Sequence, residues 1–370
     1  MSGKDMSGPA MTMALRGSSP LSAMSATTTM GVDVFIPCYN YGHFLEQCVD
    51  SILSQDGVQV RVLIIDDAST DGSLEEARRL AARDSRVSVF AHPVNKGHTA
   101  TYNDGIAWAS APYMVLVSAD DLLAPLALSR SIALMEARPE VGFVYGALCH
   151  VDGSVNGEAA MAQARAADPC GSVTTGRDFI ASLCRRPICL VPASGVIVRT
   201  TLQQRLGGYL PELPHSGDLE MWLRLAAHAD VGILGAPTAI TRIHASNMRH
   251  EYHVDRLIPD YQQRALAFRR FFERQAEHVP GAGDLARSAM RRLAEEVVVA
   301  SDCWFDQGME ADAAGLAAVA LEIDPTVVRT KRWWRTAAKR TVGWKLCQSY
   351  GRAKAVLRGT VIAPRHGGIL

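Results

Sequence analysis

Carboxylates collect directly after two apolar runs: Asp66-Asp67 with Asp71 after Ile64-Ile65, and Asp120-Asp121 just beyond Val115-Leu116-Val117. A third run, Val32 to Ile36, leads instead into Pro37-Cys38-Tyr39-Asn40-Tyr41. Adjacent acids at the ends of buried strands repel each other unless a cation or a donor compensates them. A hard divalent ion held through oxygen is the economical compensation, and such an ion brings a phosphate with it. Each piece also has a purely structural use. Asp66 and Asp71 can make Asx turns or cap the next helix, Asp120-Asp121 can open the helix at Pro125, and Tyr39 can simply pack. Their co-occurrence favours the chemical reading, because loops at successive strand ends must converge. Neither a G-x-G-x-x-G stretch nor a G-x-x-x-x-G-K-S/T loop occurs, which excludes the dinucleotide fingerprint and the P-loop phosphate cradle.

The elements that must position these groups alternate. Val32 to Ile36 is a β-branched strand stopped by Pro37, and Phe44, Leu45, Cys48, Val49, Ile52 and Leu53 fall on one face of a helix. Strands are then expected at Val60 to Ile65, Val87 to Ala91, Tyr113 to Val117 and Val141 to Tyr145. Helices are expected at Ser73 to Ala82, with Ser73 and Glu76 as a capping box, at Thr99 to Ala109 and from Pro125 to Ala137. Such alternation builds right-handed βαβ units around a mainly parallel sheet, whose ligands sit beyond the carboxyl ends of the strands. His150 to Gly171 reads as an irregular polar excursion, Ser194 to Val198 as a strand and Leu219 to Ala227 as a helix. From Asp255 to Asp324 the pattern is helical, with a hairpin of tetratricopeptide character at Trp304-Phe305-x-x-Gly308.

The 370 residues carry 38 basic and 38 acidic side chains, with 48% hydrophobic residues, the profile of an ordinary globular chain. Eight cysteines without a C-x-x-C pair read as reduced packing residues. The neutral total hides an asymmetry: nothing after Asp324 is acidic, while Arg329, Lys331, Arg332, Arg335, Lys339, Arg340, Lys345, Arg352, Lys354, Arg358 and Arg365 are cationic. With Trp333, Trp334 and Trp344 among them, residues 329–370 suit an anionic membrane surface, the competing reading being a basic helix that packs through its tryptophans. No nucleic-acid partner is expected, since no recognisable binding module accompanies the charge.

The successive segments Ile36-Pro37-Cys38-Tyr39-Asn40, Ile64 to Ser73, Asn95-Lys96-Gly97 with Asn103-x-Gly105, and Ser118-Ala119-Asp120-Asp121 through Pro125 resemble the signatures of the family 2, GT-A type inverting glycosyltransferases. The resemblance continues in Gly217 to Arg224 and Thr241 to Met248, and covers roughly residues 31–250 in the family's order. It implies an α/β GT-A (nucleotide-diphospho-sugar transferase) fold with a mainly parallel central sheet, followed by a C-terminal helical region. It also implies a nucleotide-sugar donor, with a UDP-sugar as the family-weighted choice. Tyr39 would stack on the base, Asp67 would accept from it, and Pro37, Asn40, Asn95, Lys96 and Asp120 would complete the nucleotide pocket. Asp120, Asp121 and His244 would hold a divalent metal, Mn²⁺ or Mg²⁺, on the diphosphate. Asp218 would be the catalytic base, with Trp222 on the acceptor side. The chain departs from the family at Ser118, where many members have the first Asp of the acidic motif, at Tyr102, where Arg often stands, and at Gly217, where the first acid of a Glu-Asp pair is usual.

The expected organisation is a flexible leader (1–30), a GT-A domain (31–250), a helical segment (251–328) and a basic amphipathic tail (329–370). The expected reaction is inverting, metal-dependent transfer of a sugar to an acceptor hydroxyl on a saccharide or lipid-linked acceptor, in cell-surface polysaccharide or glycolipid assembly. The expected location is cytoplasmic, peripheral at the inner face of the cell membrane. A nucleotidyltransferase on a related α/β fold and a catalytically silent nucleotide-sugar-binding protein are the alternatives, the second raised by Ser118 and Gly217.

Overall fold

The computed structural model describes residues 30–152, 157–168, 170–189, 191–245, 247 and 257–349. The chain forms two compact units, one of residues 1–180 and 189–247, the other of residues 181–188 and 248–370.

In the first unit the strands are β1 (Met30–Cys38), β2 (Val58–Asp66), β3 (Val87–Ala91), β4 (Tyr113–Leu116), β5 (Leu122–Leu123), β6 (Val141–Ala147), β7 (His150–Asp152), β8 (Gly171–Thr174), β9 (Ile197–Arg199), β10 (Asp230–Pro237) and β11 (Ala239–Ile243). Eight make one sheet in the order β3-β2-β1-β4-β9-β6-β10-β8, and β5-β11-β7 make a smaller one. The main sheet is parallel except where β9 runs against β4 and β6, and β8 against β10. Val32, Val34, Ile36, Val62, Ile64, Ile65 and Val115 are wholly buried, which is why the central strands read as unbroken apolar runs rather than alternating ones. The helices are α1 (Gly42–Leu53), α2 (Ser73–Arg83), α3 (His98–Trp108), α4 (Ala127–Ala137), α5 (Glu158–Ala166), α6 (Gly176–Arg185), α7 (Thr200–Leu206) and α8 (Gly217–Ala226).

Local departures from expectation have local causes. Ser73 is the first residue of α2 rather than its cap: its hydroxyl accepts the Gly42 N–H at 2.7 Å and contacts Asp71, while Glu76 pairs with Arg79. Asp71 takes the capping work by accepting the Ser73 N–H at 2.9 Å. The polar excursion contains a helix, α5, because its alanines carry high helix propensity. The helix expected from Pro125 begins at Ala127, after Leu126 enters the left-handed region at φ 63°. The strand expected from Ser194 is ordered as β9 only from Ile197. The cysteines are free, and Cys38, Cys48 and Cys184 are buried as packing residues; Cys170 and Cys303 are exposed instead.

The second unit is helical, with helices Leu257–Gln275, Ala282–Asp306, Glu310–Ile323 and Lys331–Val342. Gly308, at φ 86°, turns the expected hairpin. Leu293, Val297, Leu316, Ala320 and Val327 form the core of this unit, with Trp304 and Trp333 packed against it. Lys331–Val342 is therefore part of the helical unit and not a separate tail. Arg335 and Lys339 pair with Asp302 at 3.2 and 2.8 Å, and Lys339 also with Asp306 at 2.9 Å. The tail's cations beyond residue 349, and the charged stretch His250 to His253, lie outside the described residues. Among the described residues no helix is long and apolar enough to cross a membrane.

Candidate active site

The carboxyl ends of β1 and β2 meet first. The Asp67 N–H donates to the Cys38 carbonyl at 2.8 Å, and Asn40, at φ 59°, stitches the two loops by donating its N–H to Ser69 Oγ at 3.0 Å and accepting the Thr70 N–H at 2.8 Å. Pro37 ends the apolar part of β1, and Tyr39 beside it is 45% exposed, a ring free to stack. Asp67 is buried. Its Oδ1 accepts the Lys96 N–H at 2.8 Å and faces His92 Nδ1 at 2.7 Å; its Oδ2 accepts the Gly97 N–H at 2.9 Å. Burial pushes this carboxyl up, but these donors outweigh it and hold the group below the usual carboxylate range. Asn95 shapes the same turn, its side chain accepting the Gly97 N–H at 2.9 Å.

His92 was not singled out by sequence. Its side chain is fully buried, and its Nε2 faces Asp104 Oδ2 at 2.9 Å. The register pairs Asp66 with Ala91, so the next residues, Asp67 and His92, fall side by side; only that pairing makes the contact visible. Asp104 is the middle residue of Asn103-x-Gly105, and each member of that motif has a job. Asn103 holds the backbone of Tyr209 through two bonds, Asp104 backs His92, and Gly105 lets α3 approach β1 so closely that a Cβ there would lie 2.2 Å from the Phe35 ring.

Asp120 and Asp121 follow β4 and are both buried. Asp120 Oδ2 accepts from Asn247 Nδ2 at 3.0 Å and lies 3.2 Å from His244 Nε2, which is itself 3.0 Å from Asn247 Nδ2. Asn247 in turn accepts the His244 N–H, so its amide is oriented and its two donors face a carboxylate oxygen and an imidazole nitrogen. Asp121 looks the other way: its Oδ1 accepts the Arg242 N–H at 3.2 Å, and it bonds the Ser194 hydroxyl. Burial, and then the charge of Asp120, push the Asp121 carboxyl up to about 7. Among the described residues no group of three or more His, Cys, Asp or Glu is arranged to hold a metal ion, because Asp121 faces Arg242 and Ser194 rather than His244. Asp120 and His244 alone offer an oxygen and a nitrogen donor side by side. A site using one or two carboxylates and completed by substrate phosphates has that form.

Asp218 sits in the first turn of α8 and accepts the Tyr209 hydroxyl at 2.9 Å on Oδ1. Burial raises its carboxyl above the ordinary value, with Tyr209 and the nearby His98 and His215 partly opposing. Tyr102 lies on α3, its ring edge-on to that of Tyr209 at 5.2 Å. Burial drives its phenol up, and the charges of Asp218, Asp120 and Asp121 push the same way. Trp222 does not join them. It is 3% exposed and stacked on Phe143 at 5.6 Å, a core residue rather than a wall of the acceptor side. Arg224 is also internal, paired with Glu220 at 2.9 Å.

A twisted parallel sheet with an inserted reversed strand, and acids gathered at its carboxyl edge, define the GT-A class of nucleotide-sugar transferase folds. Residues 33–182 match the family model described as Glycosyl transferase family 2. Among curated relatives, the chain is 38% identical over 93 residues to "Glycosyltransferase GlyG" of Streptococcus pneumoniae, covering 25% of this chain and 31% of that one. It is 35% identical over 94 residues to "Chondroitin synthase" of Pasteurella multocida, covering 25% of this chain and 10% of that one. The match thus spans well under half the length of these relatives. Among solved structures, TarS of S. aureus in complex with UDP-GlcNAc superimposes with TM-score 0.59 at 15% identity, over 90% of this chain and 93% of that one. The mannosyltransferase PcManGT of Pyrobaculum calidifontis, solved with GDP-Man and Mn²⁺, gives 0.50 at 20% identity over 89% and 81%. At these identities the likeness is one of fold.

Proposed function

We propose that the protein transfers a sugar from a nucleoside diphosphate donor, a UDP-sugar by preference, to an acceptor hydroxyl with inversion. The observation that carries this reading is the placement of Asp67 and of Asp120-Asp121 just past the carboxyl ends of β2 and β4, with His244 3.2 Å and Asn247 3.0 Å from Asp120 Oδ2. Tyr39, Pro37, Asn40 and Asp67 would take the nucleoside, with Asn95 and Lys96 closing the turn over it. The ionised Asp67 keeps acceptor capacity beyond its three donors for an N–H of the base. Asp120 and His244, completed by the donor's phosphates, would hold a Mn²⁺ or Mg²⁺, which when bound offsets charge building on the departing diphosphate.

Asp218, raised by burial, is a stronger base than an exposed aspartate. It takes the acceptor's hydroxyl proton as that oxygen bonds to the anomeric carbon. The bond from that carbon to the diphosphate breaks, and its electron pair leaves with the diphosphate. No covalent sugar intermediate is needed, and the anomeric configuration inverts.

The chondroitin synthase among the relatives and the exposed basic and apolar side chains of residues 331–346 support surface-polysaccharide or glycolipid assembly at a membrane. Trp334 and Leu346 are each 65% exposed and Val342 53%, beside exposed Lys331, Arg332 and Lys345. The test is turnover against a panel of nucleotide sugars with and without Mn²⁺. Free nucleoside diphosphate and an inverted product anomer are expected. A nucleotide retained in the product would replace this reading with nucleotidyl transfer.

A further inference from the structure

We propose that Tyr209 is a positioning residue for the base, fixing the Asp218 carboxylate through its phenol and being itself fixed by a brace that α8 and α3 supply together. This rests on the reading of Asp218 as base. The phenol donates to Asp218 Oδ1 at 2.9 Å, so one carboxylate oxygen is committed and the plane of the group is set.

The phenol could not do this from a loose loop, and the loop is not loose. Arg224, on the same helix as Asp218, donates to the carbonyls of Leu206, Gly207 and Gly208 at 2.6, 2.9 and 2.7 Å. Glu220, wholly buried, neutralises that guanidinium. From the other side, Asn103 accepts the Tyr209 N–H at 2.7 Å and donates to the Tyr209 carbonyl at 3.0 Å. Gly207 makes the turn at φ 90°, and a Cβ on Gly208 would lie 2.1 Å from Asn103 Oδ1. The Tyr102 ring meets the Tyr209 ring edge-on at 5.2 Å. One helix therefore carries the base at its start and, near its end, the cation that locks the loop returning to that base.

The ionisable groups that face Asp218 are Tyr209, Tyr102, His98, His215 and Cys189. Among them Tyr209 is the one whose hydrogen bond to the carboxylate is fixed by backbone on both flanks. A donor to a carboxylate favours its charged form. Losing this donor should move the acid limb of the kcat profile upward by about one pH unit, given the usual strength of a hydrogen bond to a charged group.

The experiment compares wild type, Tyr209→Phe and Asp218→Asn for donor affinity by calorimetry and for kcat and donor KM from pH 5 to 9. The expected result for Tyr209→Phe is a roughly tenfold lower kcat below the limb, a limb displaced upward, and unchanged donor affinity. A profile superimposable on wild type overturns the proposal, and so does a variant that loses donor affinity together with turnover, which would mark a merely structural role. Asn103→Ala, which frees the loop but keeps the phenol, should reproduce the lower kcat; full activity there overturns the brace. If Asp218→Asn itself keeps full turnover, the base assignment fails instead, and the two failures are distinct.

Discussion

Asp67, just past β2, and Asp218, in the first turn of α8, are aspartates whose surroundings drive them apart. Burial pushes both up, but Asp67 meets two backbone N–H groups and His92, while Asp218 meets one phenol. The first is held charged at every physiological pH, the state suited to accepting a hydrogen bond from a ligand. The second keeps part of its proton affinity, the state suited to taking a proton. Donors aimed at the carboxylate outweigh burial at Asp67, whereas burial outweighs the donor at Asp218.

The sharpest break of this contrast is Asp218→Asn. Turnover should fall by 10²- to about 10⁴-fold, the usual worth of a positioned base, with donor affinity unchanged by calorimetry. The same variant should melt higher than wild type at neutral pH. A carboxyl whose folded value is raised costs stability once pH rises past its unfolded value near 4, and an amide removes that cost. Equal melting midpoints across pH 3 to 8 would contradict the raised value.

Asn247→Ala should weaken Mn²⁺ binding by about 10- to 100-fold, because it orients both Asp120 and His244. Metal titration followed by donor binding measures it. On the Asp67 side, His92→Ala leaves a buried carboxylate short of a donor, a loss of about 1–3 kcal/mol in stability by denaturant melts. It should also raise the lower end of the acid-stability range. Asp67 is depressed in the fold, so its contribution is present above its unfolded value and disappears as pH falls through the folded one. The smallest effect is expected from Trp222→Phe, which keeps the stack on Phe143 and removes a buried Nε1 that has no partner among the described residues. Turnover should stay within twofold; a large loss would return Trp222 to the acceptor side.

Much of the sheet was legible because its central strands are buried on both faces and so read as plain apolar runs. The acids were legible because strand-end carboxylates break those runs abruptly. What stayed hidden depends on pairing across the sheet. Nothing near His92 in the chain announces Asp67, and nothing near Ser194 announces Asp121. Trp222 misled for a related reason: it is four residues from Asp218 on one helix, but the core stack on Phe143 claimed its ring. Ser73 likewise had the local sequence of a cap, and a neighbouring loop recruited its hydroxyl first. The basic run after Asp324 read as a tail because sequence alone does not reveal that Asp302 and Asp306 face Arg335 and Lys339.

The reversed direction of β9 has a consequence for how such a cleft is assembled. Parallel neighbours offer the cleft their exits, whereas β9 offers its entrance, and Ser194 arrives through it to support Asp121 and to accept the Ser118 N–H at 2.9 Å. Most of the rim is thus written just after strands, and Ser194 just before one. Lengthening or shortening the lead-in to β9 would retune the support of Asp121 and Ser118 while the nucleoside side kept its geometry.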